Sequence, residues 1–129
     1  MSKPISSMMA EQAISVDMDA TMEQVEEALR ASDLSAVPVI DSANRSVLGL
    51  ISARDLVRFH GDKKNAAAVR AWEICTYKPV EASPDTPVSE VAALMVARGV
   101  HHVVITENNE IRGIVSALDF VKQFISEPA

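Results

Sequence analysis

The chain has 129 residues, 48% apolar and only 4% aromatic, and its 12 Lys and Arg stand against 18 Asp and Glu for a net charge of −6. That length can bury a core without disulfides or a structural metal, the composition supplies Val, Ile, Leu, Ala and Met to fill it, and the negative field opposes nucleic acid and anionic membranes. The lone Cys75 excludes an internal disulfide, and no Cys and His set has zinc spacing. "MSKPISSMMAEQ" lacks the apolar core of a signal peptide, and no apolar run approaches the ~18 residues of a membrane span. These features predict a soluble, unprocessed cytoplasmic protein.

In chain order, the first helix signal is Thr21 followed by Gln24, a capping-box pair, with Val25, Ala28 and Leu29 at the spacing of one buried face. Next come "AVPVI", the polar turn "DSANRS" and "VLGLI", which read as a hairpin. A second helix is expected from about Ala53 to His60, with Gly61 as its C-terminal stop. "GDKKNAAAVRA" is polar, then alanine-rich, and reads as a partly helical connector. The signals then recur: Thr86 and Pro87 start a helix carrying Val88, Val91, Ala92 and Met95, "HVVIT" and "IRGIV" flank the turn "ENNE", and a last helix runs from about Ala117 to Ile125.

This is an internal repeat. "GLISARD" (Gly49 to Asp55) and "GIVSALD" (Gly113 to Asp119) lie 64 residues apart, and the upstream halves align at 65 with one residue lost in the turn. One such unit would leave an apolar sheet face bare; two packed together would cover it. The expected fold is α/β, two β-α-β-β-α repeats with pseudo-two-fold symmetry, divided as repeat 1 over 1–61, connector over 62–71 and repeat 2 over 72–129.

The repeated phrase carries the chemistry. Gly49 and Gly113 allow close backbone approach, Ser52 and Ser116 fall at helix N-caps, and Asp55 and Asp119 fall at N3. A helix N-terminus suits an anion, and a carboxylate there suits a vicinal diol. Helix capping alone also accounts for both residues. There is no P-loop, metal cluster or nucleophile beside a base, so no catalytic or metal-binding residue is predicted and an enzyme is disfavoured. His60 is expected to complement a helix C-terminus, Cys75 to be a buried small hydrophobe, and the methionines to fill core or interface. Trp72 and Tyr77 could stack on an adenine or pack on the connector. Leu56, Phe59, Phe120 and Phe124 are expected as exposed apolar surface, which predicts a homodimer.

"EICTYKPVEASPDTPVSEVAALM", "HHVVITENNEIRGIVSALDF" and "AVPVIDSANRSVLGLISARDL" together resemble the tandem cystathionine-β-synthase (CBS) domain pair, or Bateman module, over nearly the whole chain. The resemblance implies a regulatory module that requires no cofactor and binds adenosine nucleotides (AMP, ADP or ATP) in clefts between the repeats. Alternatives are another adenosyl ligand, NAD or S-adenosylmethionine, or a structural dimerisation module without nucleotide. With no effector appended, it implies a separate regulated protein. By the same resemblance, one site would combine Ser52, Arg54 and Asp55 with Thr76, Tyr77, Pro79, Val80, His101 and His102. The other would combine Ser116 and Asp119 with Ala10, Ala13, Ile14, Ser35 and Ala36. The histidines stand where relatives place a basic pair against phosphate.

Overall fold

The computed structural model describes residues 3–9, 14–32 and 34–126. Contacts divide the chain into two compact units, one Ile14–Pro79 and the other Val80–Ala129 together with Met1–Ala13. They are termed the N-terminal and C-terminal units below. The expected β-α-β-β-α order is present in each.

In the N-terminal unit the order is β1 (Val16–Asp17), α1 (Met22–Ser32), β2 (Ala36–Asp41), β3 (Ser46–Ser52), α2 (Ala53–Gly61), α3 (Ala71–Ile74) and β4 (Thr76–Tyr77). The sheet runs β1-β2-β3-β4, with β1 parallel to β2 and the other pairs antiparallel. β2 is buried along most of its length, as its run of apolar residues demands. Met22, Val25 and Leu29 of α1 pack with Val37, Val39, Ile51 and Phe59.

The start of α1 shows why the connector folds onto this unit. Four amide donors at a helix N-terminus lack intrahelical partners. Here Met22 N–H donates to Val69 O at 2.8 Å and Glu23 N–H to Ala66 O at 3.1 Å, while Val25 N–H begins the intrahelical ladder on Thr21 O at 3.0 Å. Gln24 N–H donates to Thr21 Oγ1 at 3.2 Å, and Gln24 Oε1 accepts from Thr21 N–H at 2.9 Å, completing the capping box read from the sequence. The alanine-rich stretch thus supplies two of the four acceptors.

The C-terminal unit contains a 3-10 turn (Ile5–Ser7), β5 (Glu81–Ala82), α4 (Val88–Arg98), β6 (His102–Glu107), β7 (Glu110–Ser116) and α5 (Ala117–Ser126). Its sheet runs β5-β6-β7, parallel and then antiparallel. Val88, Val91 and Met95 pack with Val103, Ile105, Val115, Phe120 and Ile5. Lys3 O accepts from Val88 N–H at 2.8 Å, so the 3–9 stretch serves α4 as the connector serves α1.

Three local expectations are corrected. The repeat offset is 66 residues upstream of the turn, since Met22 answers to Val88 and Ala36 to His102, and 64 beyond it, since Ser52 answers to Ser116. The four-residue turn of the first hairpin shortens to two residues in the second. Thr86 does not cap α4: Pro87 holds the N-cap place, and Thr86 Oγ1 accepts from Ser83 N–H at 3.2 Å. Gly61 does not stop α2 but is its last residue, and the chain first turns left-handed at Lys63, φ 55°. The αL cap is at Gly99, φ 64°, after α4.

The exposed aromatic surface also differs from expectation. Phe59 and Phe120 are buried and Leu56 is half-buried, which leaves Phe124 as the exposed member of the four. Each buried ring anchors its helix to its own core, a use the residue count alone does not reveal.

Candidate functional site

β3 delivers Ser52, extended at φ −109° and ψ 171°, directly into α2. Asp55, three residues on, takes the Ser52 N–H on Oδ2 at 2.9 Å, and the Ser52 hydroxyl turns to the same oxygen at 3.2 Å. Among the described residues, the other carboxylate oxygen, Oδ1, meets only the Thr76 hydroxyl, at a long 3.5 Å. One oxygen is therefore committed to the helix cap, while the other is lightly engaged.

Thr76 reaches Asp55 because of Gly49. β4 pairs Gly49 with Tyr77 and Leu50 with Thr76, and a Cβ on Gly49 would stand 2.6 Å from Thr76 O and 2.7 Å from Cys75 Sγ. A side chain there would push β4, and with it Thr76, off the sheet. The close approach expected at this glycine exists, made by the protein's own backbone.

Around this cap, Ser35 O accepts from Ala53 N–H at 3.1 Å and Ala36 pairs with Ser52. Arg54 is exposed in the first turn of α2, Tyr77 donates its hydroxyl to Trp72 O, and both rings are about half exposed. Cys75 is buried, and burial pushes its thiol up, which leaves it a poor nucleophile at neutral pH. Ile14 packs on the core of this unit and Pro79 is half-buried at its end. His60 stands in the last turn of α2, where its Nε2 meets Glu26 Oε1 of α1.

In the C-terminal unit the capping box is complete in both directions. Ser116 N–H donates to Asp119 Oδ2 at 2.7 Å, and Asp119 N–H donates to Ser116 Oγ at 3.2 Å. His101 O accepts from Ala117 N–H at 2.9 Å, and His102 pairs with Ser116 across β6 and β7. Burial holds the His102 imidazole below its ordinary value; the positive charge of neighbouring His101 acts the same way, and Asp119 opposes both. His102 is therefore chiefly neutral near pH 7. Val80 O accepts from Val104 N–H at 2.9 Å.

Within their own units, then, the histidine pair lies beside the Asp119 cap, and Ser35 with Ala36 holds the corresponding place beside Asp55. The structure brings Ser52, Asp55 and Thr76 together. Ala10 and Ala13 fall outside the described residues. The Thr76 hydroxyl contact with Asp55 is invisible in sequence spacing; the family resemblance is what grouped the two residues. Among the described residues, no group of three or more His, Cys, Asp or Glu could hold a metal ion, and no helix is long and apolar enough to cross a membrane.

The CBS domain family profile matches residues 5–62 and 71–126. The chain is similar to the SNF1-related protein kinase regulatory subunit gamma-1-like of Arabidopsis thaliana, 22% identical over 134 residues covering 91% of this chain and 30% of that one. Among solved structures it is similar to the CBS domain pair of protein MJ0100 in complex with 5-methylthioadenosine and S-adenosyl-L-methionine (TM-score 0.87, 19% identity, 98% of each chain covered). It is also similar to the CBS domain of the bacterial CNNM/CorC family Mg2+ transporter in complex with ATP (TM-score 0.81, 19% identity, 97% of this chain and 89% of that one). The chain spans 62%, 42% and 30% of the length of the first curated relatives it matches. With two matched copies covering most of its length and the two-unit α/β fold of the solved pairs, the chain belongs to the CBS domain family as a tandem CBS pair.

Proposed function

We propose that this CBS pair is a non-catalytic, cytoplasmic ligand-sensing module that binds an adenosine nucleotide of the AMP, ADP or ATP class and regulates a separate protein, acting as a homodimer. The observation that carries this reading is the Asp55 carboxylate at the start of α2. Ser52 holds one oxygen, and among the described residues the other meets only a 3.5 Å hydroxyl contact. A ribose diol offers that oxygen a stronger donor, and the α2 N-terminus favours a phosphate nearby. The ATP, 5-methylthioadenosine and S-adenosyl-L-methionine bound in the two similar structures support an adenosyl ligand. A ligand bound this way regulates only through different affinities for two packings.

A second reading has its own support. The complete Ser116–Asp119 box needs no ligand to explain either residue. On that reading the module is structural.

Calorimetric titration of the full chain with AMP, ATP and 2′-deoxy-ATP separates the two. Nucleotide sensing predicts that Asp55→Ala weakens binding about 10- to 150-fold, as loss of a charged acceptor does. An unchanged affinity in folded Asp55→Ala would reduce that carboxylate to helix capping.

A further inference from the structure

Six described residues hold φ in the left-handed region, and five of them have a local reason to do so. Gly99 caps α4, Asn108 and Asn109 make the two-residue turn between β6 and β7, Arg45 closes the turn between β2 and β3, and Lys63 follows the end of α2. Lys78, φ 56°, lies in none of these places. It directly precedes Pro79, and a residue before proline is drawn to extended backbone. A positive φ also crowds its Cβ against the following carbonyl. Its side chain is exposed and, among the described residues, makes no hydrogen bond or ion pair that would offset this cost. The neighbours must hold the backbone there.

They do so from α3 onward. Cys75 N–H donates to Ala71 O at 3.0 Å, and a Cβ on Gly49 would stand 2.7 Å from Cys75 Sγ, so the thiol lies against bare backbone. The Tyr77 hydroxyl donates to Trp72 O. β4 itself is only Thr76 and Tyr77, both exposed, opposite Leu50 and Gly49 of β3. Past Tyr77 the chain must leave the sheet edge at once, for Val80 already accepts from Val104 N–H in the C-terminal unit, at 2.9 Å. Pro79, with φ locked at about −65°, cannot supply that change of direction. It falls on Lys78.

The strain is spent on a contact at the proposed site. Thr76 Oγ1 lies 3.5 Å from Asp55 Oδ1, the oxygen assigned to the ribose. With Lys78 relaxed to extended backbone, Tyr77 would leave Gly49, and Thr76, the other half of a two-residue strand, would follow. We infer that Lys78 is a positioning residue: its left-handed backbone keeps β4 on β3 and so keeps the Thr76 hydroxyl on the Asp55 carboxylate. The inference rests on the proposed nucleotide site and deepens it, since a residue whose side chain makes no contact sets the geometry of one that does.

Substitutions at Lys78 in the full chain test it by calorimetric titration with ATP and by amide hydrogen exchange at Thr76 and Tyr77, with circular dichroism to verify folding. Lys78→Gly keeps a positive φ freely and should bind ATP within about threefold of wild type, with exchange unchanged. Lys78→Val, β-branched and averse to that region, should bind about tenfold more weakly and exchange the slower of the two amides at least tenfold faster. Lys78→Thr, also β-branched, serves if Lys78→Val does not fold. In a Thr76→Val background the Lys78→Val step should cost no more than about threefold in affinity, because the contact it acts through is already gone. A full tenfold loss in that background, equal damage from Lys78→Gly and Lys78→Val, or exchange untouched by Lys78→Val overturns the inference. Should the wild-type chain take up no ATP, the nucleotide reading falls by itself. Exchange then decides alone: faster exchange in Lys78→Val but not in Lys78→Gly upholds the positioning of Thr76, and any other pattern removes it.

Discussion

The two units share their buried positions and part company on their surfaces. Met22 and Val88, Val25 and Val91, Val39 and Ile105, and Ile51 and Val115 fill matching places in the two cores. Elsewhere Arg30 corresponds to Val96, His60 to Phe124, and the core ring Phe59 to Gln123. A handful of apolar residues at helix and strand spacing suffices for the fold. What lies outside that set is free to differ, and the difference puts charged residues in one unit where the other carries apolar ones.

The sharpest break in the comparison is expected at the helix anchors. Phe59→Ala should cost about 3–5 kcal/mol, since a large, almost fully buried ring leaves a cavity. Gln123→Ala, at the matching place on α5, should stay within about 0.5 kcal/mol of wild type. Urea unfolding measures both. Equal losses would mean that the two helices are pinned alike.

Glycines give a second contrast, smaller and of opposite sign. Gly49→Ala sets a Cβ into the Thr76 carbonyl and the Cys75 sulfur and should destabilise by roughly 1–3 kcal/mol, with nucleotide affinity falling alongside because Thr76 is displaced. Gly61→Ala meets nothing within 4 Å at the end of α2 and should stabilise by about 0.5–1 kcal/mol. Thermal melts of the two variants should move in opposite directions.

These contrasts mark what the sequence could and could not disclose. The repeat, both hairpins, the Thr21–Gln24 box and the helix from Ala53 were legible because each rests on local spacing. The offset was misread by one residue upstream because Thr21 and Thr86 look alike as caps. The structure sets Thr86 one place further from its helix, with Pro87 between. Whether Phe59 or Phe124 lies inside could not be read either: both sit on apolar arcs, and only the packing of α2 and α5 against their sheets decides. At the site, Ser52 and Asp55 were readable from spacing, whereas the Thr76 hydroxyl meets Asp55 through strand pairing at Gly49, a contact 21 residues distant in sequence.

The caps themselves allow a finer comparison. Ser116→Ala removes the hydroxyl that accepts the Asp119 N–H and should cost about 1 kcal/mol. Ser52→Ala should cost a similar amount, because the Ser52–Asp55 box is also made in both directions. Chemical denaturation measures both, and a cost confined to one of them would show that the two caps are not equivalent.

The smallest effect concerns pH and belongs to the C-terminal unit, which holds the histidine pair. Burial, reinforced by His101, sets His102 below its ordinary value of 6.5 in the fold, with Asp119 in partial opposition. Unfolded, the imidazole returns to that ordinary value and binds a proton that the folded form resists. Stability should therefore be fully present above about pH 6.5 and should decline as pH falls below it, until the folded imidazole also protonates. The depressed Asp17 carboxyl, held by the Ser42 hydroxyl and the Asp19 amide, acts in the same direction but below its ordinary 3.8, in a separate window. Melting temperatures between about pH 8 and 5 should thus fall toward acid in the wild-type chain and flatten in His102→Gln. A slope that survives this substitution would take the effect away from His102. The same titration bears on the ligand: a chiefly neutral His102 lends phosphate a hydrogen bond rather than a charge near pH 7, so ATP should bind tighter toward pH 6 while adenosine does not. If both ligands follow the same pH profile, the pair beside Asp119 takes no part in holding phosphate.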